Sequence, residues 1–372
     1  MRKILDLISI IMFFALIGMF AVSTVMFGHM ADRRRGESVQ SQLQRSAEQS
    51  FPMFENWRSV YTALITAAGQ SRIGDIYVSD ERMIEILSRT DEDCIQRNTE
   101  ELNRFAAAYP QASTYAMLVP TASGIYSSEL PMVITATDQR KLIDDIYYSL
   151  DRSISTLDAY NPLFSAREDY IYFRTDNSWT SAGAYMVYSK TIRKLGFTPL
   201  RLSNYDMEYA ARDYYGGLYF RTYYTGTSPD SIQLYRNKNG SFVTGVKALS
   251  GDTETEYSSV YYSPALKTQD KLDLFAGGDL FDRVTVTTSN TEAPRLLIIK
   301  GSYANMLVPF LTPHYSEITL LDPDALGRRP LEELVTVSDY DQVLFLFDAA
   351  EFSTEDLRLG VKPPEEPAPP EE

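Results

Sequence analysis

The sequence predicts an α/β fold in which a mostly parallel sheet is covered by helices on both faces. Short apolar runs alternate with amphipathic helical segments in the C-terminal third, which is typical of parallel strands joined by helices. The chain has 372 residues and 44% hydrophobic side chains, enough for one large α/β domain with insertions. Residues 204–290 break the alternation and predict a β-rich insertion.

Helical and strand patterns also alternate in the first half of the body. Residues 93–109 place Leu102 and Phe105 on one helical face. Residues 115–119 form an apolar strand that Pro120 ends. A second helix carries Ile143 and Ile146 behind a cap at Thr137 or Asp138. Further predicted elements are strands at 154–157 and 170–173 and a helix from Ser181 to Leu195, before Gly196.

The C-terminal part predicts strands at Leu296–Ile299, Ile318–Leu321 and Val343–Phe347, with helices from Tyr303 and near Leu331. The insertion at 204–290 is rich in Tyr, Thr, Ser, Asp and Gly, and holds eleven tyrosines from Tyr205 to Tyr262. These tyrosines are either ordinary sheet residues or a surface for sugars.

The N-terminus predicts a membrane anchor over residues 1–30. Leu7 to Gly28 is an uncharged run of 22 residues, about 33 Å as a helix and long enough to cross a bilayer. A signal peptide has a shorter apolar core of about 7–15 residues and a small-residue cleavage site, so the anchor is expected to stay uncleaved; a cleaved signal is the alternative. The three arginines at 33–35 favour a cytoplasmic location of the body by the positive-inside rule, although long domains cross the membrane regardless of such charges.

The remaining boundaries follow from composition. Residues 31–50 are a polar juxtamembrane spacer, 51–360 the folded α/β domain, and 361–372 a Pro/Glu tail expected to be disordered. The net charge of −15 argues against nucleic acid as a partner. Cys94 is the single cysteine, which fits cytoplasm or the exterior of a Gram-positive cell. With two histidines, His29 and His314, no metal site or cofactor is expected.

A candidate nucleophile follows the strand at 296–299. Ser302 stands where ligands bind in open α/β sheets, beyond the carboxyl end of a strand. Gly301 permits a tight turn, and the helix start at Tyr303 offers free amides to an oxyanion, with Asn305 as a further donor. The alternative is that Gly-Ser before a helix is an ordinary capping pair.

A serine hydroxyl is a poor nucleophile until a base takes its proton. His314 lies twelve residues beyond Ser302, about 18 Å along a continuous helix, and is not expected to return to it. Lys300 is expected to point away from Ser302. The segment Arg174–Thr180 holds an acid, Asp176, but no histidine. We expect four other carboxylates to be surface charges: Asp322, Asp324, Glu332 and Glu333.

Together these stretches resemble the DHHW family of bacterial envelope proteins, part of the SGNH-hydrolase-like group that includes alginate O-acetylation proteins. The motifs occur in the family's order over most of the body. They are Val119-Pro120-Thr121-Ala122, Ile125-Tyr126-Ser127, Tyr172-Phe173-Arg174-Thr175-Asp176, Trp179-Thr180-Ser181, Gly183-Ala184-Tyr185, Tyr215-Gly216-Gly217-Leu218-Tyr219, Lys300, Ser302-Tyr303-Ala304-Asn305 and Val308 to Tyr315.

The resemblance implies an SGNH-like fold and roles for single residues. Ser302 matches the nucleophile and Asp176 the acid that orients the base. The base position is Ser178, the other histidine position is Asn177, and the aspartate that often precedes the serine is Gly301. The residues expected to line the substrate site are Trp179, Tyr303, Asn305 and Arg174.

The resemblance implies a membrane-anchored, extracytoplasmic protein of polysaccharide O-acetylation. Neither Asn177 nor Ser178 accepts a proton near pH 7, and loss of the base lowers triad turnover by about 10⁴–10⁶-fold. We therefore expect a pseudoenzyme that binds an envelope glycan, or a scaffold for a partner acetyltransferase. The alternative is a working O-acetyl esterase or acetyltransferase in which Asp176 acts on Ser302 through a water.

Overall fold

The computed structural model describes residues 10–15, 17–19, 22, 46, 53–240, 242–327 and 330–361. Of the predicted anchor at 1–30, only residues 10–15, 17–19 and 22 are described, and the spacer at 31–50 and the tail at 361–372 lie almost entirely outside the described residues. No helix among the described residues is long and apolar enough to cross a membrane. The chain divides into two compact units, Met1–Gln70 with Thr222–Thr225, and Ser71–Arg221 with Gly226–Glu372.

The first unit contains helix α1, Phe54–Ala67. The hydroxyl of its buried Thr62 donates to the backbone carbonyl of Thr222, 2.5 Å away. The ring of Phe54 packs edge-on against Tyr223, with centroids 6.3 Å apart. The sequence placed everything from residue 51 onward in the α/β domain, whereas the structure groups this helix with the 222–225 segment.

An eight-stranded sheet forms the centre of the second unit. Its strands are β4 Ser113–Val119, β5 Ser155–Thr156, β8 Val243–Ser250, β9 Thr253–Tyr257, β10 Arg283–Thr288, β11 Arg295–Lys300, β12 Glu317–Leu321 and β13 Gln342–Asp348. Their order in the sheet is β5-β4-β13-β11-β12-β10-β8-β9. The first five strands in this order are parallel to one another, and β10, β8 and β9 are added antiparallel.

The sheet as a whole is therefore mixed, whereas its strands outside the insertion, β5, β4, β13, β11 and β12, are parallel as predicted. The antiparallel part comes from the insertion at 204–290, where β8 and β9 are joined by the two residues Gly251 and Asp252. A two-residue connection permits only an antiparallel hairpin. The other insertion strands, β6 (Tyr205–Tyr214) and β7 (Asp230–Asn237), form a separate two-stranded sheet.

The central strands are buried on both faces and carry helices on each. On β11, Leu296 and Ile298 face one core, and Leu297 and Ile299 face the other. Helices α2 (Glu92–Ala108), α4 (Gln139–Ser149) and α9 (Ala349–Thr354) pack on the second face. On the first face lie α3 (Ala122–Ile125), α5 (Tyr160–Ser165), α6 (Ser181–Thr191) and α8 (Val308–Leu311).

Local signals set the helix starts. Asp138 accepts a hydrogen bond from the Lys141 amide at the start of α4, and Thr180 accepts one from the Gly183 amide at the start of α6. The structure adds a small sheet that the sequence did not predict. It comprises β1 (Arg72–Ile73), β2 (Ile76–Val78) and β3 (Met83–Glu85). Helix α7 spans Gly217–Thr222.

Three predicted elements are wrong in type. Residues 170–173 form no strand, only a single bridge between Tyr172 and Trp179. The helix expected from Tyr303 is a 3₁₀ helix, Ser302–Leu307, before α8. Pro309 has no amide for the α-type hydrogen bond that would join the two segments. Near Leu331 there is only a three-residue 3₁₀ turn.

Candidate active site

Ser302 follows the carboxyl end of β11, at the edge where the parallel strands end. The amide of Gly301 donates to the carbonyl of Leu346 on β13 at 2.7 Å, which fixes the turn. Ser302 is exposed. The N-cap residue of the 3₁₀ helix that follows is Gly301, and Ser302 is the first residue of that helix. The interpretation of Ser302 as a capping residue is therefore not supported.

Asp230, at the start of β7, holds the segment that precedes Asp176. Its fully buried carboxylate accepts the amides of Arg174 and Thr175, each at 2.8 Å, and the Thr175 hydroxyl. The Tyr170 hydroxyl donates to it as well. A buried carboxylate with this many donors fixes the backbone in front of Asp176.

Two hydrogen bonds join residues 174–180, the motif segment, to residues 301–303, the serine turn. The indole Nε1 of Trp179 donates to the carbonyl of Tyr303 at 3.0 Å, and the two rings pack with centroids 5.5 Å apart. The hydroxyl of Tyr303 donates to the carbonyl of Asn177. Ser178 lies between the two bonded residues and is half-buried, so its position is next to the turn that carries Ser302.

Asp176 is buried, and its carboxylate is already engaged. Oδ1 accepts the amide of Ser178 at 3.1 Å, and Oδ2 accepts the Tyr214 hydroxyl at 2.9 Å and the Gly217 amide at 2.8 Å. Burial raises the pKa of Asp176, while these donors oppose the rise. A Cβ at Gly216 would lie 2.3 Å from Oδ2, so glycine is required there for the carboxylate to fit.

The four residues predicted to line the substrate site lie in different places. Tyr303 and Trp179 are packed beneath the turn and are buried. The Nδ2 of Asn305 donates to the carbonyl of Ser302 at 3.3 Å, which keeps the side chain beside the nucleophile position. The guanidinium of Arg174 lies 4.7 Å from the Tyr170 ring centroid, so Arg174 packs on this tyrosine.

His314 lies at the opposite edge of the sheet, as expected from the sequence. It precedes β12, which runs parallel to β11 with Glu317 beside Arg295. At about 3.3 Å per residue, the six-residue strand β11 puts Ser302 roughly 20 Å from that end. His314 Nε2 and the Tyr188 hydroxyl are hydrogen-bonded at 2.8 Å, and burial lowers the pKa of His314 to about 4.

Lys300 is also withdrawn from Ser302. Its buried Nζ forms an ion pair with Asp279 at 2.6 Å. Burial alone would lower the pKa of Lys300, but carboxylates at Asp279, Asp322 and Glu351 raise it. The expectation that Asp322 is a surface charge is wrong, because it is buried and faces this lysine.

The structure brings to this edge three carboxyl groups that the sequence analysis missed. Asp348 ends β13, and Glu351 lies in the first turn of α9, against Gly301. Glu85 ends β3, where its Oε2 accepts the Asn177 amide side chain at 3.3 Å. The signal for the first two was present, since residues that follow a predicted parallel strand reach the same edge as Ser302.

Within residues 53–240, 242–327 and 330–361, no group of three or more His, Cys, Asp or Glu side chains is arranged to hold a metal ion.

The model of the family described as DHHW protein matches residues 59–321. The chain belongs to the DHHW family. The resemblance on which the sequence prediction rests is thereby confirmed. A comparison with curated proteins gives no match.

Solved structures share the fold of this DHHW protein. A DHHW family protein from Eubacterium siraeum DSM 15702 is 22% identical, with a TM-score of 0.63 over 76% of this chain and 95% of the other. Bacillus cereus PatB1 with a sulfonyl adduct is 17% identical, with a TM-score of 0.66 over 76% of this chain and 98% of the other. A second structure of Bacillus cereus PatB1 is 16% identical, with a TM-score of 0.64 over 76% of this chain and 99% of the other. The site roles given to Ser302, Asp176 and Ser178 stay predictions.

We expect Asp230→Ala to lower the free energy of unfolding by about 3 kcal/mol, because it leaves buried backbone and hydroxyl donors without an acceptor. Asp206→Ala is the matched control. Asp206 is an exposed side chain on the neighbouring strand β6, and its loss should cost less than about 0.5 kcal/mol. Urea unfolding followed by circular dichroism measures both variants. Equal losses would contradict the role of Asp230 in holding the motif segment.

Proposed function

We propose that this DHHW protein acts in cell-envelope polysaccharide O-acetylation and binds its polysaccharide at the Ser302 edge, with acyl transfer that is slow at most. The observation that carries the proposal is the identity of residue 178, which lies between Asn177 and Trp179, the two residues hydrogen-bonded to Tyr303. This residue is a serine, whose hydroxyl accepts no proton near neutral pH.

The surroundings of Ser302 support slow chemistry. His314 is held by Tyr188 near the far edge of the sheet, and Lys300 by Asp279. Asp176, the acid of the alternative mechanism, has both carboxylate oxygens occupied by donors. A carboxylate in that arrangement is a weak base for a serine hydroxyl.

Family membership and fold support the link to acylation. PatB1, which shares the fold, has been captured with a sulfonyl adduct, and sulfonyl reagents modify nucleophilic side chains. We infer that Ser302 is the corresponding reactive position here, and that the pocket around it has been kept while its base has been lost.

Position 178 offers a direct test. Ser178→His places an imidazole next to Asp176, whose Oδ1 already accepts the residue 178 amide. We expect hydrolysis of an acetyl ester to rise by at least about tenfold, because a positioned general base contributes about 10²–10⁴-fold. Ser178→Gln has similar bulk without a base and should leave the rate unchanged. Ser302→Ala in the histidine background should remove the gain. A gain that survives without Ser302 would contradict its role as nucleophile.

An aromatic pair beside Asp176 is the part of the insertion best placed for a glycan. The rings of Tyr215 and Tyr219 have centroids 4.3 Å apart, and both side chains are half-buried. The glycines between them border the Asp176 carboxylate. Of the eleven tyrosines from 205 to 262, all described in the structure, Tyr209 is the exposed one, and the Arg212 guanidinium covers its ring at 3.7 Å. Most of these tyrosines therefore serve packing.

We expect Tyr215→Ala to weaken binding of acetylated envelope polysaccharide by at least about fivefold, since an aromatic face contributes about 1 kcal/mol or more to a contact. Tyr209→Ala is the control on the preceding strand and should bind like the wild type. Pull-down with increasing polysaccharide gives both affinities. Equal affinity of the two variants would exclude the Tyr215–Tyr219 pair as the sugar contact.

We also propose that residues 1–30 anchor the chain and that the body lies outside the membrane. An external protease added to intact cells should then digest the body without lysis, whereas a cytoplasmic marker protein stays intact. Protection of the body until lysis would contradict this orientation.

A further inference from the structure

Glu351 occupies the space that a side chain at position 301 would need. A Cβ built on Gly301 would lie 1.9 Å from Glu351 Oε2 and 2.6 Å from its Cδ. Gly301 has an extended backbone, with φ −95° and ψ −175°, so the reason for glycine here is this contact rather than an unusual conformation. The carboxyl therefore borders the residue that directly precedes Ser302.

The start of α9 fixes Glu351 in this place. The carboxylate of Asp348 accepts the amides of Ala350 and Glu351 at 2.8 and 3.0 Å. This cap turns the first residues of the helix back toward the end of β11. The charge of the Asp348 carboxylate is among the causes that raise the pKa of Glu351, so the two groups are close enough to interact.

One oxygen of Glu351 has no donor. Oε2 is buried and makes no hydrogen bond within the described part of the chain. An ionised oxygen left in this state costs folding free energy. Protonation of Glu351 relieves the cost, and the charge of the neighbouring Asp348 carboxylate favours it. A titratable carboxyl thus lies beside the turn that carries the exposed Ser302.

We propose that Glu351 is the proton acceptor for Ser302 and that Asp348 shares its proton. The proposal rests on the proposed function in one respect, the identity of Ser302 as the nucleophile. It replaces the missing imidazole with a carboxyl pair contributed by β13 and α9, and it assigns Asp176 to holding the motif segment.

The acyl transfer step balances with these groups. The Ser302 O–H bond breaks, its proton passes to the Glu351 carboxylate, and a bond forms between Oγ and the acyl carbon. The bond from the acyl carbon to the ester oxygen then breaks, and the departing alkoxide takes the proton from Glu351. A water or sugar hydroxyl repeats the sequence on the acyl-enzyme and restores Ser302.

Charged groups from several elements face the pair. Burial is the first cause that raises the pKa of Glu351 well above its usual range, and carboxylates add to it. Lys300 opposes this rise. The facing groups are Asp348 at the end of β13, Glu355 at the end of α9, Asp279 in the loop before β10 and Lys300 on β11, with Glu85 facing Asp348.

The sign of the pH dependence follows. A carboxyl with a raised pKa loses its proton at a higher pH than an ordinary glutamate and becomes a competent base as the pH rises. Its contribution to folding stability has the opposite sign: it is complete below the pKa of the unfolded chain and is lost as the pH rises through the folded value. The rate of chemistry at Ser302 should therefore increase with pH.

The test is the rate at which a fluorophosphonate probe labels Ser302 in the full-length chain between pH 6 and 9. In this reaction Oγ bonds to phosphorus, fluoride leaves and the hydroxyl proton goes to the base. We expect the wild-type rate to rise with pH, and Glu351→Gln to be slower by at least about 10²-fold at the upper end with a flat profile. Glu333→Gln, an exposed glutamate in the 3₁₀ turn at 331–333, should behave like the wild type.

Two further variants separate a chemical role from a structural one. Glu351→Asp keeps a titrating carboxyl and should retain a rising profile, and Ser302→Ala should not label at all. A profile in Glu351→Gln equal to that of the wild type, or a wild type that labels at no pH, overturns the proposal. Polysaccharide binding by the same variants is measured separately. If Glu351→Gln labels like the wild type while the wild type still binds polysaccharide, the role of Glu351 is excluded and the proposed function is unaffected.

Discussion

The site depends on the link between two distant segments, made by the Trp179 indole to the Tyr303 carbonyl and by the Tyr303 hydroxyl to the Asn177 carbonyl. Trp179 is fully buried, so the first bond is shielded from water, where a hydrogen bond is electrostatically stronger. The link sets the distance between the motif segment and the serine turn. Every role assigned to residues 176–178 relative to Ser302 requires that these two bonds persist.

Much of the framework was readable from the sequence because the central strands are buried on both faces. Such strands form continuous apolar runs, and those at 115–119, 296–299, 318–321 and 343–347 were all found within two residues of their observed ends. The strand predicted at 170–173 does not form, because its apolar residues pack around a short reversal of the chain. The β1–β3 sheet was missed because its strands are only two or three residues long.

The site was predicted less completely, and the reason is geometric. The position of Ser302 could be predicted because it follows an apolar strand. The absence of histidine at positions 177 and 178 could be read directly from the sequence. The place of Glu351 after a predicted parallel strand indicated that it lies at the same edge as Ser302, but its contact with Gly301 spans fifty positions and depends on the Asp348 cap, so no pattern in the sequence indicated that contact. Asp230 was missed for the same kind of reason, since it reaches the motif segment from another sheet. Contacts of this type arise from tertiary packing and leave no local periodicity.

The contact between Gly301 and Glu351 makes the position of this carboxyl depend on the size of its neighbour. A side chain at 301 would overlap the Glu351 carboxyl in its present rotamer, so a larger residue there requires the glutamate to adopt another rotamer. Gly301→Ala is therefore a way to displace the carboxyl without changing its chemistry.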